Sequence, residues 1–157
     1  MTRQAARFVG SIPEHYDNYL GPRLFDYYAA DLTARVAASD PRSVLELAAG
    51  TGIVSRCLRD ALPADTTLVA SDLNPPMLAV AGSKFEAGEN IRFEAVDATH
   101  LPYDDASFDV VACQFGVMFF PDKERAYEEV RRVLKPGGRY VFNVWGSWEN
   151  NAFAQIA

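Results

Sequence analysis

A chain of 157 residues that is 49 % hydrophobic and 12 % aromatic carries one domain's worth of sequence and enough apolar side chains for a single core, which excludes a disordered chain. A net charge of -6 without any block of lysine or arginine argues against nucleic acid as a partner. No apolar run is long enough to span a bilayer and no secretory segment is visible, so a cytoplasmic protein is expected. Cys57 and Cys113 lie in apolar stretches without metal-ligand spacing and read as core residues, with no metal site.

Residues 1–21 hold Phe8, Ile12, His15, Tyr16, Tyr19 and Leu20 among polar residues and close on Gly21-Pro22, which suggests a short helix and an irregular arm. Leu24, Phe25, Tyr28, Leu32 and Val36 then recur at helical spacing, predicting a helix of about four turns that stops before Asp40-Pro41. Residues 1–40 therefore form a helical cap ahead of a sheet core over 43–146.

From Ser43 an apolar run ends at Glu46, followed by small residues through Gly50 and Gly52, and helical spacing begins at Ile53. Strand, tight turn and helix in that order make a ligand-binding turn, because glycine lets a ligand approach the main chain. A phosphate-binding P-loop is excluded, since the turn lacks the lysine of GxxxxGK[ST]. The dinucleotide pattern GxGxxG matches at Gly50 and Gly52, but Ser55 stands at its third glycine. Glu46 adds a carboxylate near where a pyrophosphate would rest, which disfavours phosphate and favours a cation. A ligand with an ammonium and a sulfonium, such as S-adenosylmethionine, suits this turn better.

In the helix that follows, Ile53, Val54, Cys57, Leu58, Ala61 and Leu62 line one face, while Arg56, Arg59 and Asp60 are expected to meet water. A second strand, Thr66–Ser71, finishes on Asp72 and Leu73. Asp72 stands twenty residues beyond Gly52, where βαβ units place an acid on ribose hydroxyls. Asn74-Pro75 reads as a helix cap with its first-turn proline. Met77, one turn on, is either an apolar wall for a base or a core residue. The third strand, Ile91–Val96, alternates apolar and polar residues as an edge strand does, and Phe108–Phe115 is apolar enough to be covered on both faces. Ligands of open α/β sheets bind beyond the carboxyl ends of the strands, so Gln114 and Phe115 should face the pocket beside Glu46. Phe115 is placed to flank a sulfonium. Asp122 caps a last helix with Ala126, Val130, Val133 and Leu134 inward and Glu128, Glu129, Arg131 and Arg132 outward, ended by Lys135-Pro-Gly-Gly138 before a fifth strand. The alternation from residue 43 onward calls for a doubly wound α/β fold with a parallel sheet.

Four segments together, Glu46-Leu-Ala-Ala-Gly-Thr-Gly52, Asp72, the run Asp97 to Asp109 (DATHLPYDDASFD) and Val133-Leu-Lys-Pro-Gly-Gly138, resemble the class I S-adenosylmethionine-dependent methyltransferases of the small-molecule and quinone type. Ala48 departs from that family's motif, which has glycine there. The resemblance implies strand order 3-2-1-4-5, with the last two of seven strands lacking and 147–157 opening the absent part. It implies S-adenosylmethionine as cofactor, S-adenosylhomocysteine as product, and methyl transfer to a small-molecule acceptor. It places Asp97 and the Ala98 amide on the adenine edge and Gln114 on the methionine part. Tyr16 and Tyr19 become lid residues over the cofactor, and His100 a variable surface position. No catalytic residue is assigned; for a hydroxyl acceptor, His15, Tyr16 or Asp17 is in position to take the proton. The acceptor pocket is expected from the lid and the region after the fifth strand. An NAD(P)-dependent oxidoreductase and a non-catalytic domain or fragment remain as alternatives. Tyr140, Phe142 and Val144 on one face and Val141 and Trp145 on the other leave an apolar edge strand through which self-association is expected.

Overall fold

The computed structural model describes residues 25–147 and Glu149. Helix α1 (Asp26–Ala37) leads to β1 (Ser43–Glu46), α2 (Ile53–Ala61), β2 (Thr67–Asp72), α3 (Pro75–Gly82), β3 (Ile91–Ala95) and β4 (Phe108–Gln114). A 3-10 turn (Val117–Phe119), α4 (Lys123–Val133) and β5 (Leu134–Asn143) follow. Every neighbouring pair of strands is parallel, in the order β3-β2-β1-β4-β5 expected from the sequence. Strand order reverses between β1 and β4, so a crevice opens past Glu46 and Gln114.

The central strands are apolar because helices cover both of their faces. Leu45, Val69 and Val111 pack with Val130 and Val133 of α4, while Val44, Leu68 and Val110 pack with Leu32 and Val36 of α1 and with Val54 and Leu58 of α2. At the sheet edge, β3 exposes Arg92, as its alternating pattern predicts, but departs from that pattern further on: Ala95 is exposed and Glu94 is half-buried, accepting from the Tyr103 hydroxyl at 3.0 Å.

Several faces differ from expectation. Helix α1 starts at Asp26 and runs 12 residues; Ala29 and Thr33 join Leu32 and Val36 on its buried face, and Tyr28 stays exposed. In α2 the buried face is turned by about one residue, to Val54, Ser55, Leu58 and Arg59. Ala61 points outward and Cys57 is only partly covered, whereas Cys113 is fully buried. Burial of Arg59 is possible because its guanidinium donates to the carbonyl oxygens of Thr66 and Asn90, both at 2.8 Å, of Leu62 at 3.1 Å, and of Pro63. Glu129, expected in water, is 3 % exposed for a similar reason given below. Asp122 does cap α4, accepting from Arg125 N at 2.9 Å. Strand β5 begins at Leu134 directly after α4 and takes in Lys135-Pro-Gly-Gly138, with a register shift opposite Phe108 and Val110.

Candidate functional site

The crevice holds a cleft of about 270 Å3, near the lower end of small-molecule sites, and a smaller cavity of about 40 Å3 with which it shares Phe25, Ala48, Gly50 and Gln114. Glu46, Thr51 and Val54 line the smaller cavity. Asp72, Leu73, Met77, Asp97, Ala98 and Phe115 line the larger. The structure therefore brings every described site residue named from sequence to one place, except Gly52, which acts from behind it. Tyr16, Tyr19, His15 and Asp17 lie outside the described residues.

Backbone geometry builds this turn. Gly52 sits at φ +81°, and a β-carbon there would come 2.7 Å from the Ala81 β-carbon, so glycine is required both for conformation and for the approach of α3. Gly50 is also left-handed, at φ +56°. Ala48 takes φ +53°, a conformation that strains an L side chain, and its methyl fits because Gly116 faces it: a β-carbon on Gly116 would overlap the Ala48 methyl and lie 2.8 Å from Cys113 Sγ. Phe115 is left-handed as well, at φ +53°, so a strained residue stands just beyond the end of each of β1 and β4. Gly116 itself is at φ -86°, where any residue is comfortable; its need is for space, and no sequence pattern announced it.

Each acid has a distinct environment. Glu46 is 2 % exposed and accepts from Ser55 Oγ at 2.5 Å. Burial pushes its carboxyl up to about 8 against the Ser55 hydrogen bond, and the charge of Asp72 adds to the rise. Burial therefore opposes the negative charge expected of Glu46 from the sequence, and favours the protonated carboxyl more than an exposed glutamate would. Thr51 Oγ1, beside it, is buried without a hydrogen-bond partner among the described residues. Asp72 accepts from Gly50 N at 2.9 Å through one oxygen, and from Asn74 N at 2.8 Å and Asn74 Nδ2 at 3.1 Å through the other. Asn74 does stand at the N-cap of α3 before Pro75, but its side chain makes no cap bond because the amide turns back to Asp72. Asp97 is exposed; its Oδ1 accepts from Thr99 N and Oγ1 at 2.8 and 2.7 Å.

Behind Asp97, α4 holds the loop. Glu129 accepts from Leu101 N at 2.8 Å and from Arg132 at 2.9 Å, and Arg132 donates onward to the carbonyl oxygens of Leu101 and Tyr103. The Arg132 guanidinium keeps the Glu129 carboxyl down at about 2. His100 is exposed, as expected.

Around the mouth stand aromatic residues. Phe115 stacks on Trp145 with centroids 4.1 Å apart and planes at 10°, and Tyr28 meets both edge-on, at 5.2 and 5.7 Å. The Phe115 ring is thus packed among aromatics while it lines the cleft. Phe25, Trp145 and the segment Met118-Phe-Phe-Pro121 also line it; none of them was named as a site residue from sequence, Phe25 and Trp145 having been read only as helix and strand positions. The apolar run after β4 was the available signal.

The residues fit a ligand with an ammonium, a ribose and an adenine. A buried carboxyl and an orphaned hydroxyl share the small cavity, while Asp72 and Asp97 stand along the cleft with Met77 between them in sequence. Among the described residues no group of three or more metal-ligating side chains occurs, and no helix is long and apolar enough to cross a membrane.

Comparison with known proteins agrees with this geometry. Residues 45–142 match the family model described as methyltransferase domain. A demethylmenaquinone methyltransferase of Thermus thermophilus is 43 % identical over 121 residues, covering 73 % of this chain and 54 % of the relative. A ubiquinone/menaquinone biosynthesis C-methyltransferase of Idiomarina loihiensis is 38 % identical, over 62 % of this chain and 40 % of its own length. The chain spans about half the length of the curated relatives it matches. In fold it is similar to a SAM-dependent methyltransferase of Aquifex aeolicus, with a TM-score of 0.72 at 20 % identity over 88 % of this chain and 74 % of that one.

Proposed function

This chain belongs to the methyltransferase-domain family, and from that premise we propose that it binds S-adenosylmethionine and passes the methyl group to a small, quinone-type acceptor. The observation that carries the reading is the pair of adjoining cavities, one with the buried Glu46 carboxyl and the Thr51 hydroxyl, which has no hydrogen-bond partner among the described residues, the other with Asp72 and Asp97. Bound there, S-adenosylmethionine supplies an electrophilic sulfonium methyl.

The chain's own residues bind and orient. Glu46, once it gives up its proton, offers a carboxylate to an ammonium in a site shielded from water, where such a contact is strong. Asp72 accepts from vicinal hydroxyls while it continues to hold Gly50 N, so the loop and the ligand share one anchor. Asp97 keeps one oxygen for an exocyclic amine, the Ala98 amide donates to a ring nitrogen, and Met77 supplies an apolar face. Methyl transfer spreads an existing positive charge, so the protein's main tasks are alignment and exclusion of water. The quinone-type acceptor rests on the names of the relatives.

Titration calorimetry with S-adenosylhomocysteine and with NADH tests the reading. Binding of the first and not the second is expected; the reverse result would overturn it.

A further inference from the structure

Past the polar end of the cleft its wall changes character. The polar groups come from the ends of β2 and β4 and from the loop after β3, but the chain just after β4 contributes Met118, Phe119, Phe120 and Pro121, none of them charged. This segment is built as a firm turn. Val117 is 2 % exposed and anchors it in the core, Phe119 N donates to Gly116 O at 2.9 Å, and Phe120 N donates to Val117 O at 3.3 Å. Phe119 itself remains 62 % exposed while it lines the cleft. A large aromatic ring held out at the rim by an anchored turn exposes apolar area that covering would stabilise.

We propose that Phe119, flanked by Met118 and Phe120, is the acceptor-recognition wall, and that it takes a planar apolar ring lying against it next to the cofactor cleft. This rests on the reading of the cleft as an S-adenosylmethionine site. An aromatic face suits a planar ring by offset stacking, and the absence of charge on these side chains selects against a polar acceptor. The acceptor wall therefore already begins in the segment after β4, ahead of the regions where the sequence resemblance places it. Phe119 acts here as a specificity residue and takes no part in holding the cofactor.

The probe is 1,4-naphthoquinone, titrated calorimetrically into the full chain with S-adenosylhomocysteine in excess, for the wild type, Phe119→Ser and Phe119→Trp. Losing the covered ring should weaken naphthoquinone binding about tenfold or more in Phe119→Ser. Phe119→Trp should restore it, and S-adenosylhomocysteine affinity should stay the same in all three. Because Phe119 is exposed, both variants should fold as the wild type does, which circular dichroism checks. Loss of both affinities in Phe119→Ser would mean that the ring only shapes the cleft and would overturn the proposal. Unchanged naphthoquinone binding, or none by the wild type, would overturn it while leaving the cofactor reading intact. Failure of the wild type to bind S-adenosylhomocysteine would remove the reading beneath it.

Discussion

Replacing Gly116 by alanine isolates a purely steric demand. At φ -86° the backbone accepts alanine freely, and the smaller entropy of the unfolded chain would by itself stabilise the variant by about 0.4–1 kcal/mol. Against this, the new β-carbon overlaps the Ala48 methyl and lies 2.8 Å from Cys113 Sγ, where carbon atoms and their neighbours pack at roughly 3.5–4 Å. Overpacking of this kind costs about 1–3 kcal/mol, which outweighs the gain. Ala48→Gly should be close to neutral. It relieves the left-handed strain at φ +53°, about 1–2 kcal/mol, but it loses a methyl contact of about 0.8 kcal/mol and frees the unfolded chain by a comparable amount. In Ala48→Gly/Gly116→Ala the larger overlap disappears, and only the Cys113 contact is left. Thermal and urea unfolding of the four proteins should therefore give a coupling of about 1–2 kcal/mol, with each kcal/mol seen as about 2–4 °C. Strict additivity, or a Gly116→Ala variant as stable as the wild type, would refute the packing argument.

Three further outcomes follow from the acids. The Glu46 carboxyl rises from 4.5 unfolded to about 8 folded, so the folded state holds a proton that the unfolded state releases, and stability should fall as pH rises from about 4.5 to 8. The fall should be on the order of a few kcal/mol, Glu46→Gln should flatten it, and calorimetry in buffers of different ionisation heat should show proton release when S-adenosylhomocysteine binds at pH 7. Asp97→Ala should weaken S-adenosylhomocysteine about ten- to a hundredfold with little change in melting temperature, whereas Asp72→Ala should lower both, because Gly50 loses its acceptor. Equal melting temperatures for the two would argue against Asp72 as a loop anchor. Glu129→Gln should destabilise by about 1–3 kcal/mol and remove an advantage that the wild type loses as pH falls from 4.5 towards about 2, as acid unfolding curves would show.

The centre of the sheet was legible because β1, β2 and β4 are short, largely apolar runs that end at an acid or a small-residue turn, and the edge position of β3 showed in its alternation. Periodicity failed where a charged side chain finds backbone partners in another segment, carbonyl oxygens for Arg59 and an N–H for Glu129. Arg59 reaches Thr66 and Asn90, and Glu129 reaches Leu101, and neither contact leaves a local signature. The site acids were legible because a strand end followed by a turn fixes where they point. Gly116 was not, since its role is defined by Ala48, a residue 68 positions away in sequence. Likewise the aromatic rim forms only when α1, the end of β4 and the chain after β5 meet.

That rim makes the protein its own optical probe. Trp145 lies flat on Phe115 at 4.1 Å and lines the cleft, so its indole senses the cleft's contents directly. A quinone ring bound beside it would accept an electron from the excited indole and darken its emission, while a colourless nucleoside would change only the polarity around it. With Trp148, the chain's other tryptophan, replaced by phenylalanine, Trp145 would tell the two kinds of visitor apart by intensity and by wavelength, without any label attached to the chain.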